Sequence, residues 1–162
     1  MRTILIAEEG ERKLVDEYLP GETNVIVTGV GALNVLSSLR DLPRDTDLIN
    51  IGYAGSANYA IGTVVEVTES RLHHPNVTYD EPCMPVQPVE DLFFRALNPQ
   101  QAVCYSNTDF VLASPDKDCV FDMELAYICA QGFARVSAIK IVSDNLSLHD
   151  YREVGNGVEA AE

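Results

Sequence analysis

The sequence predicts an α/β fold with a mostly parallel or mixed central sheet. Apolar runs of strand length alternate with segments of helical periodicity along the chain, which is the pattern of packed strand and helix layers. The strand-like runs are rich in β-branched residues and nearly continuous, as in strands buried on both faces. With 162 residues, of which 46% are hydrophobic, residues 1–162 are expected to form a single domain with its own core.

The predicted elements follow from these runs and from the glycines and prolines between them. Strands are predicted at Thr3–Ala7, Asn24–Thr28, Asp47–Ile51, Thr63–Ser70, Ala102–Tyr105 and Arg135–Val142. Helices are predicted at Glu9–Tyr18, Ala32–Leu42, Asp91–Leu97 and Asp122–Gln131. The segment from His74 to Val89 holds four prolines and is predicted to be a long loop. Lys140 interrupts the last apolar run and is interpreted as a strand end or a partly exposed face.

The charge balance argues against anionic partners. The chain carries 25 acidic and 11 basic residues, a formal net charge of -14, which disfavours nucleic acid or an anionic membrane surface. A neutral or weakly charged small molecule is the expected partner. The opening MRTILIAEEG has an apolar stretch too short for a secretory signal or a membrane anchor. A cytoplasmic protein is therefore predicted.

The cysteines and histidines do not form a metal-binding pattern. Cys83, Cys104, Cys119 and Cys129 include no CxxC pair, so buried thiols are predicted in place of zinc ligands or disulfides. The neighbouring His73 and His74 would point to opposite faces of a strand and could not easily share a metal. Neither a metal nor another cofactor is predicted.

Two carboxylates are predicted to converge on one edge of the sheet. Ser143 and Asp144 directly follow the last predicted strand, at the carboxyl end where open α/β sheets bind ligands. The preceding helix carries Glu124 in its first turn and can place it beside the same edge. The alternative is structural: Asp144 caps a turn, and Glu124 is an exposed acid at a helix start.

Two glycine-bearing turns follow predicted strands. TGVGALN, residues 28–34, opens a helix but carries Asn34 where a dinucleotide-binding turn has its third glycine. A tight turn that needs only Gly29 and Gly31 is an equally good interpretation. NIGYAGS, residues 50–56, has glycines that would permit close approach by a ligand or a neighbouring strand.

Taken in order, five segments resemble the family of purine and uridine phosphorylases and methylthioadenosine/S-adenosylhomocysteine nucleosidases. They are TGVGALN, NIGYAGS with IGTVVEV, SNTDFVLAS, FDMELA and KIVSDN, and FDME with VSDN is the most specific pair. The resemblance implies a short, divergent member of the family, with a three-layer α/β sandwich around a mixed, partly barrel-like central sheet. It also implies a site that cleaves an N-ribosidic bond.

The resemblance implies roles for individual residues. Asp144 would protonate N7 of a purine, Ser143 would orient Asp144, and Glu124 would hold the ribose hydroxyls. The other implied contacts with substrate are Met123 under the sugar, Phe110 on the base, Asp122, Val111, and the backbone of Tyr53, Ala54 and Gly55. Cleavage builds positive charge on the sugar and negative charge on the base. Of two separated carboxyl groups, one can protonate the base and the other can stabilise the charge on the sugar. A donor aspartate needs a raised pKa at neutral pH, which burial can supply.

Water is the predicted acceptor of the sugar. Phosphorylases of this family bind phosphate with arginines, one of them two residues before the glycine of the third-strand turn, and that position is Asn50 here. Hydrolysis needs a base, for which Glu8, Glu9 and Glu11 all follow the first strand closely enough; their spacing slightly favours Glu11. A phosphate-dependent phosphorylase and a catalytically silent nucleoside-binding protein are the alternatives.

The resemblance also implies a homo-oligomer, a dimer or larger. The chain departs from the family pattern at Tyr53 and Leu125, where the family has small residues, and either side chain could reshape the pocket. A shortened chain would leave apolar surface that a second subunit could cover.

Overall fold

A computed structural model describes residues 2–72, 84–107 and 118–146. In this part of the chain the strands are β1 (Arg2–Ile6), β2 (Val25–Val27), β3 (Asp47–Gly55), β4 (Val64–Leu72), β5 (Met84–Pro85), β6 (Gln100–Ser106), β7 (Cys119–Asp122) and β8 (Arg135–Asp144). The helices are α1 (Arg12–Tyr18), α2 (Ala32–Leu39), α3 (Leu92–Ala96) and α4 (Leu125–Cys129), and a 3-10 turn (Glu9–Glu11) precedes α1.

Five strands close into a barrel. The closed order is β3, β8, β4, β6, β7 and back to β3, with parallel pairs between β3 and β8, β4 and β6, and β6 and β7. The pairs between β8 and β4 and between β7 and β3 are antiparallel. On the outside, β1 extends β3, β2 extends β1, and β5 pairs with β4. The predicted mixed, partly barrel-like sheet is confirmed.

Helices pack on both faces of the sheet, which gives the predicted three layers. One apolar cluster contains Leu14 and Val15 of α1 and Phe94 of α3. The other contains residues of α2 and α4, among them Leu39 and Leu125. Leu125 is fully buried in that cluster, so it serves the core and does not narrow the cavity described below.

The largest difference from the predicted elements lies around Asp122. The sequence predicts a helix from this residue, whereas Asp122 ends strand β7 in register with Ser106 of β6. Helix α4 begins three residues later because the Asp122 carboxylate accepts a hydrogen bond from the Leu125 amide at 2.8 Å. The predicted start was therefore wrong, and β7 was missed.

Two further predictions need correction. Lys140 is neither a strand end nor partly exposed: it lies within β8 with 1% of its surface exposed. Strands β3 and β8 both run further than predicted, to Gly55 and Asp144, because they pair with each other over almost their whole length. Cys104 and Cys119 are buried, as predicted, whereas Cys129 is only partly buried. His73, His74, Cys83 and most of the proline-rich loop lie outside the described residues.

Candidate active site

A cavity of about 290 Å³ opens where strands β1, β3, β7 and β8 end. Its lining residues are Ala7, Glu8, Glu11, Val30, Tyr53, Ala54, Gly55, Phe121, Asp122, Met123, Glu124, Ser143 and Asp144. Within the described residues, five of those that line the cavity carry carboxyl groups, and no lysine or arginine is among them. The carboxyl ends of β1, β3 and β8 meet here, as the strand pattern predicts for a ligand site.

Asp144 is fully buried at the end of β8. Its Oδ2 accepts a hydrogen bond from the Ser143 hydroxyl at 2.7 Å, and its Oδ1 accepts one from the Leu146 amide at 2.8 Å. The pairing of β8 with β3 shifts by one residue here, because Ala54 pairs with Val142 but Gly55 pairs with Asp144. Such a bulge re-aims the side chains that follow it, and Asp144 lines the cavity.

Glu11 is the second buried carboxylate, and the 3-10 turn places it beside β3. Its Oε1 accepts hydrogen bonds from the amides of Ala7 and Glu8, at 2.8 and 3.2 Å, and its Oε2 accepts one from the Tyr53 amide at 2.9 Å. Burial raises the pKa of Glu11, while these amides and the charge of Lys140 act in the opposite direction.

Two glycines of NIGYAGS make room for these carboxylates. A Cβ atom at residue 52 would lie 2.6 Å from Oε2 of Glu11, and one at residue 55 would lie 2.8 Å from Oδ1 of Asp144. Both distances are shorter than a real Cβ contact. Gly52 and Gly55 therefore permit close approach, as the sequence predicts, but the groups that approach are side chains of the same chain.

Glu124 lies directly before α4, with 8% of its surface exposed. Its Oε2 accepts a hydrogen bond from the Gly31 amide at 3.0 Å, so the TGVGALN turn contacts a carboxylate at this point. Both Gly29 and Gly31 have φ near +90°, as the tight turn requires. Burial, reinforced by the nearby Asp122 carboxylate, raises the pKa of Glu124 to about 7.

We expect Glu124→Gln to stabilise the protein more at pH 8 than at pH 5. The folded pKa of about 7 exceeds the ordinary value of 4.5, so the folded protein binds more protons between these values and loses stability as pH rises. Glutamine does not ionise and lacks this penalty. The difference in unfolding free energy between Glu124→Gln and the wild type should therefore grow by up to about 3 kcal/mol from pH 5 to pH 8. Urea unfolding of both proteins at the two pH values measures it, with the exposed Glu17→Gln as control. A difference that is constant with pH would contradict the assignment.

Asp122 is oriented by a buried lysine. Lys140 Nζ lies 2.9 Å from Asp122 Oδ2, and both side chains are 1% exposed. Burial alone would raise the pKa of Asp122, but the Lys140 charge outweighs it and lowers that pKa. Burial likewise would lower the pKa of Lys140, and the Asp122 carboxylate reverses this and raises it. Both groups are charged at neutral pH.

The structure brings together most of the predicted site residues. Those that line the cavity are Asp144, Ser143, Glu124, Met123, Asp122, Tyr53, Ala54, Gly55 and Glu11. Glu9 does not line it: its carboxylate is exposed and pairs with Arg12 at 2.9 Å. Phe110 and Val111 lie outside the described residues.

The backbone and the side chain of Tyr53 have different surroundings. Its side chain belongs to the apolar cluster on α1, and Lys13 Nζ lies 6.0 Å from the ring centroid. Burial and the charge of Glu11 raise the pKa of Tyr53 to about 12, so the phenol stays neutral. The amide of Tyr53, which faces Glu11, is therefore its main contribution to the site.

Sequence reasoning missed three apolar residues of the cavity and the lysine behind it. Ala7, Val30 and Phe121 line the cavity, and the Phe121 ring stacks on Tyr105 with centroids 5.8 Å apart. Val30 and Phe121 lie inside the motifs TGVGALN and FDMELA, and Ala7 directly precedes Glu8, so each is adjacent in sequence to a residue that was singled out. Within residues 2–72, 84–107 and 118–146, no group of three His, Cys, Asp or Glu side chains is arranged to hold a metal ion.

The arrangement suits chemistry on a neutral or cationic molecule. Asp144 and Glu11 are held by defined hydrogen bonds at the end of parallel strands, and Glu124 and Met123 line the same cavity. Carboxyl groups in such a site can donate a proton, accept one, or stabilise a developing positive charge. In the described part of the chain no helix is long and apolar enough to cross a membrane.

Solved structures that are similar to this chain include nucleosidases. The MTAN protein of Chlamydia trachomatis is 19% identical, with a TM-score of 0.74, and the match covers 99% of this chain and 90% of that one. The 5′-methylthioadenosine/S-adenosylhomocysteine nucleosidase of Neisseria meningitidis, solved with methylthio-immucillin-A, is also 19% identical, with a TM-score of 0.72 and coverage of 99% and 92%. The Streptococcus pneumoniae nucleosidase, solved with a transition-state inhibitor, is 18% identical, with a TM-score of 0.70 and coverage of 99% and 96%.

These matches confirm the predicted fold class over nearly the whole chain. The Chlamydia protein has also been solved with MTA and with adenine bound. No protein-family model matches the chain, and no curated protein matches it. The fold is thus that of the methylthioadenosine/S-adenosylhomocysteine nucleosidases.

Proposed function

We propose that this protein hydrolyses the N-ribosidic bond of a purine nucleoside such as methylthioadenosine or S-adenosylhomocysteine. The observation that carries the proposal is the pair of buried, backbone-anchored carboxylates, Glu11 and Asp144, which line one cavity together with Glu124. The nucleosidases that share the fold bind ligands of this class. A cavity of about 290 Å³ is close to the volume range of small-molecule sites.

Each residue has a separate role in this proposal. Asp144 donates a proton to N7 of the base, with Ser143 holding its other carboxyl oxygen. Glu11 accepts a proton from the attacking water, and Glu124 accepts hydrogen bonds from the ribose hydroxyls. Positive charge develops on the sugar in the transition state, and the surrounding carboxylates stabilise that charge more than they stabilise the neutral substrate.

Water is preferred to phosphate because of the charge of the cavity. Among the lining residues that the structure describes, five bear carboxyl groups and none is lysine or arginine, so a phosphate dianion would meet repulsion and no bidentate donor from them. The position that carries an arginine in phosphorylases of this family is Asn50, which is buried and donates to the Leu5 carbonyl at 3.2 Å.

The test is release of free base from a panel of nucleosides, with and without phosphate. The panel contains methylthioadenosine, S-adenosylhomocysteine, adenosine, inosine and uridine. We expect adenine from the first two at the same rate in both buffers, with free sugar as the second product. Release that strictly requires phosphate and yields sugar 1-phosphate would establish phosphorolysis. Tight binding of methylthioadenosine with no release would establish a silent binding protein.

We further propose a homo-oligomer, a dimer or larger, that covers an apolar patch beside the cavity. The patch is Val30, Leu33 and Leu36, with exposed fractions of 36%, 83% and 46%. Leu33 and Leu36 lie on one face of α2, and Val30 lines the cavity itself. Sedimentation of the wild type and of Leu33→Asp tests this proposal, with a shift toward monomer expected for the variant. A wild type that is monomeric at micromolar concentration would contradict it.

A cytoplasmic location also remains a proposal. It is supported by the free thiols of Cys104 and Cys129, which a reducing compartment preserves.

A further inference from the structure

A buried lysine lies behind the cavity and is not used by the proposed mechanism. Lys140 pairs with Gly52 across the β3–β8 ladder, and Gly52 is the residue whose α-carbon faces Glu11. Lys140 is absent from the cavity lining and is 1% exposed. It therefore cannot contact a substrate directly, and any effect on the reaction must pass through its neighbours.

The first neighbour is Asp122, through which Lys140 reaches helix α4. Asp122 Oδ2 accepts from both Lys140 Nζ and the Leu125 amide, at 2.9 and 2.8 Å. Asp122 Oδ1 accepts a hydrogen bond from the Ser106 hydroxyl, whose oxygen accepts one from the Ala126 amide at 2.9 Å. The ion pair thus holds the first two amides of α4, and Glu124 directly precedes that helix.

The second effect of Lys140 is its charge. Lys140 interacts electrostatically with several titratable groups. They are Asp122 on β7, Cys104 on β6, Cys129 on α4, Glu124 before α4 and Glu11 on the 3-10 turn. Its charge acts to lower the pKa of Glu11 and of Glu124, against the dominant effect of burial. A single buried cation therefore offsets several carboxylates that line one cavity.

We propose that Lys140 is a positioning residue for the reaction: through Asp122 it fixes Glu124, and through its charge it keeps Glu11 in the ionised form that accepts a proton. This inference rests on the proposed hydrolysis. Because a buried ion pair often adds little stability compared with a well-packed apolar pair, the benefit of keeping Lys140 here lies in the site.

The test is the pH profile of kcat/KM for Lys140→Met, Lys140→Arg and the double variant Lys140→Met/Asp122→Asn. Lys140→Met should move the acid limb upward by about one pH unit and raise KM about 10-fold, since Glu11 and Glu124 lose their counter-charge. Lys140→Arg should keep the acid limb of the wild type. The double variant removes both charges and leaves no unpaired buried ion. Because the charge that acts on Glu11 is that of Lys140, the acid limb of the double variant should also lie above that of the wild type.

Arg40→Met is the matched control, because Arg40 is 78% exposed and 3.9 Å from its partner Asp41. The pH profile of Arg40→Met should equal that of the wild type.

A purely structural role of Lys140 would overturn the inference. In that case Lys140→Met would have a lower melting temperature and a lower kcat, but its acid limb and KM would not move. If Lys140→Met does not fold, the double variant decides. An acid limb above that of the wild type in the double variant supports the charge role, and an acid limb equal to that of the wild type overturns it.

A second experiment distinguishes failure of the proposed hydrolysis from failure of the role of Lys140. If the wild type releases no base, hydrolysis is wrong, and carbon-13 carboxyl titration of glutamate-labelled protein still tests Lys140. The resonances of Glu11 and Glu124, assigned with Glu11→Gln and Glu124→Gln, should titrate at higher pH in Lys140→Met than in the wild type. Unchanged titration of both carboxyl groups would overturn the electrostatic role.

Discussion

Replacing Asp144 with Asn is expected to lower kcat by about 10² to 10⁴-fold, the range for loss of a general acid. The base leaves as an anion unless it is protonated, and an amide cannot supply that proton at neutral pH. Binding of methylthioadenosine should persist, because the shape of the cavity does not change. Adenine release and isothermal titration on the same preparation measure the two effects independently.

The fold of Asp144→Asn should remain intact because both hydrogen bonds have a counterpart. The amide oxygen can accept from the Leu146 amide, which Oδ1 does now, and the amide nitrogen can donate to the Ser143 hydroxyl, which can rotate. Ser143→Ala is the matched control: it keeps the acid but removes the 2.7 Å hydrogen bond to Oδ2. A smaller loss of kcat is expected for it. An active Asp144→Asn enzyme would contradict the role of Asp144.

The sheet was predictable because its strands are long apolar runs buried on both sides. Strand β8 is one such run, and its predicted start at Arg135 is observed. Strand β7 was missed because a run of only four residues carries little periodicity, and its pairing with β6 and β3 depends on residues far apart in sequence. Local propensity could not place the boundary at Asp122, since a tertiary hydrogen-bond network decides it.

The positions of Asp144 and Glu124 were predictable from the rule that ligand sites lie at the carboxyl ends of strands. The Lys140–Asp122 pair was not predictable in this way. A lysine within an apolar run suggests exposure, because burial of an unpaired charge is costly, and only the closed barrel shows that Asp122 is its partner. The sequence indicated that residues 52 and 55 need to be glycine, but it did not indicate that the carboxylates of Glu11 and Asp144 fill the space beside them.

The choice of the proposed base among Glu8, Glu9 and Glu11 also depended on the three-dimensional structure. All three follow β1 within a few residues, and sequence spacing separates them only slightly. The 3-10 turn directs Glu9 to solvent and Glu11 inward, so that the exposed fraction of the Glu11 residue is only 6%. Glu8 also lines the cavity, but it is exposed, whereas Glu11 is buried and accepts three backbone hydrogen bonds.

Glu11→Gln is accordingly expected to lower kcat by about 10² to 10⁴-fold, since an amide cannot accept the proton of the attacking water. The substitution also has a structural cost, because Glu11 accepts three backbone hydrogen bonds through two oxygens. Glutamine has one acceptor oxygen, so its amino group would face either the Tyr53 amide or the pair from Ala7 and Glu8. An unsatisfied buried amide costs about 1–3 kcal/mol.

Glu9→Gln separates the chemical effect of Glu11→Gln from a general loss of acidic charge near the turn. Glu9 is exposed, and its direct ion pair with Arg12 is a surface pair of the kind that contributes little stability, so its variant should keep kcat within about threefold of the wild type. Glu11→Asp adds a second comparison: it keeps a carboxylate but shortens its reach to the Tyr53 amide. Partial activity in Glu11→Asp, together with near-complete loss in Glu11→Gln, would mark a base whose charge matters more than its packing. Loss of activity in Glu9→Gln with retention in Glu11→Gln would transfer the role to Glu9, and the anchoring of Glu11 would then be structural.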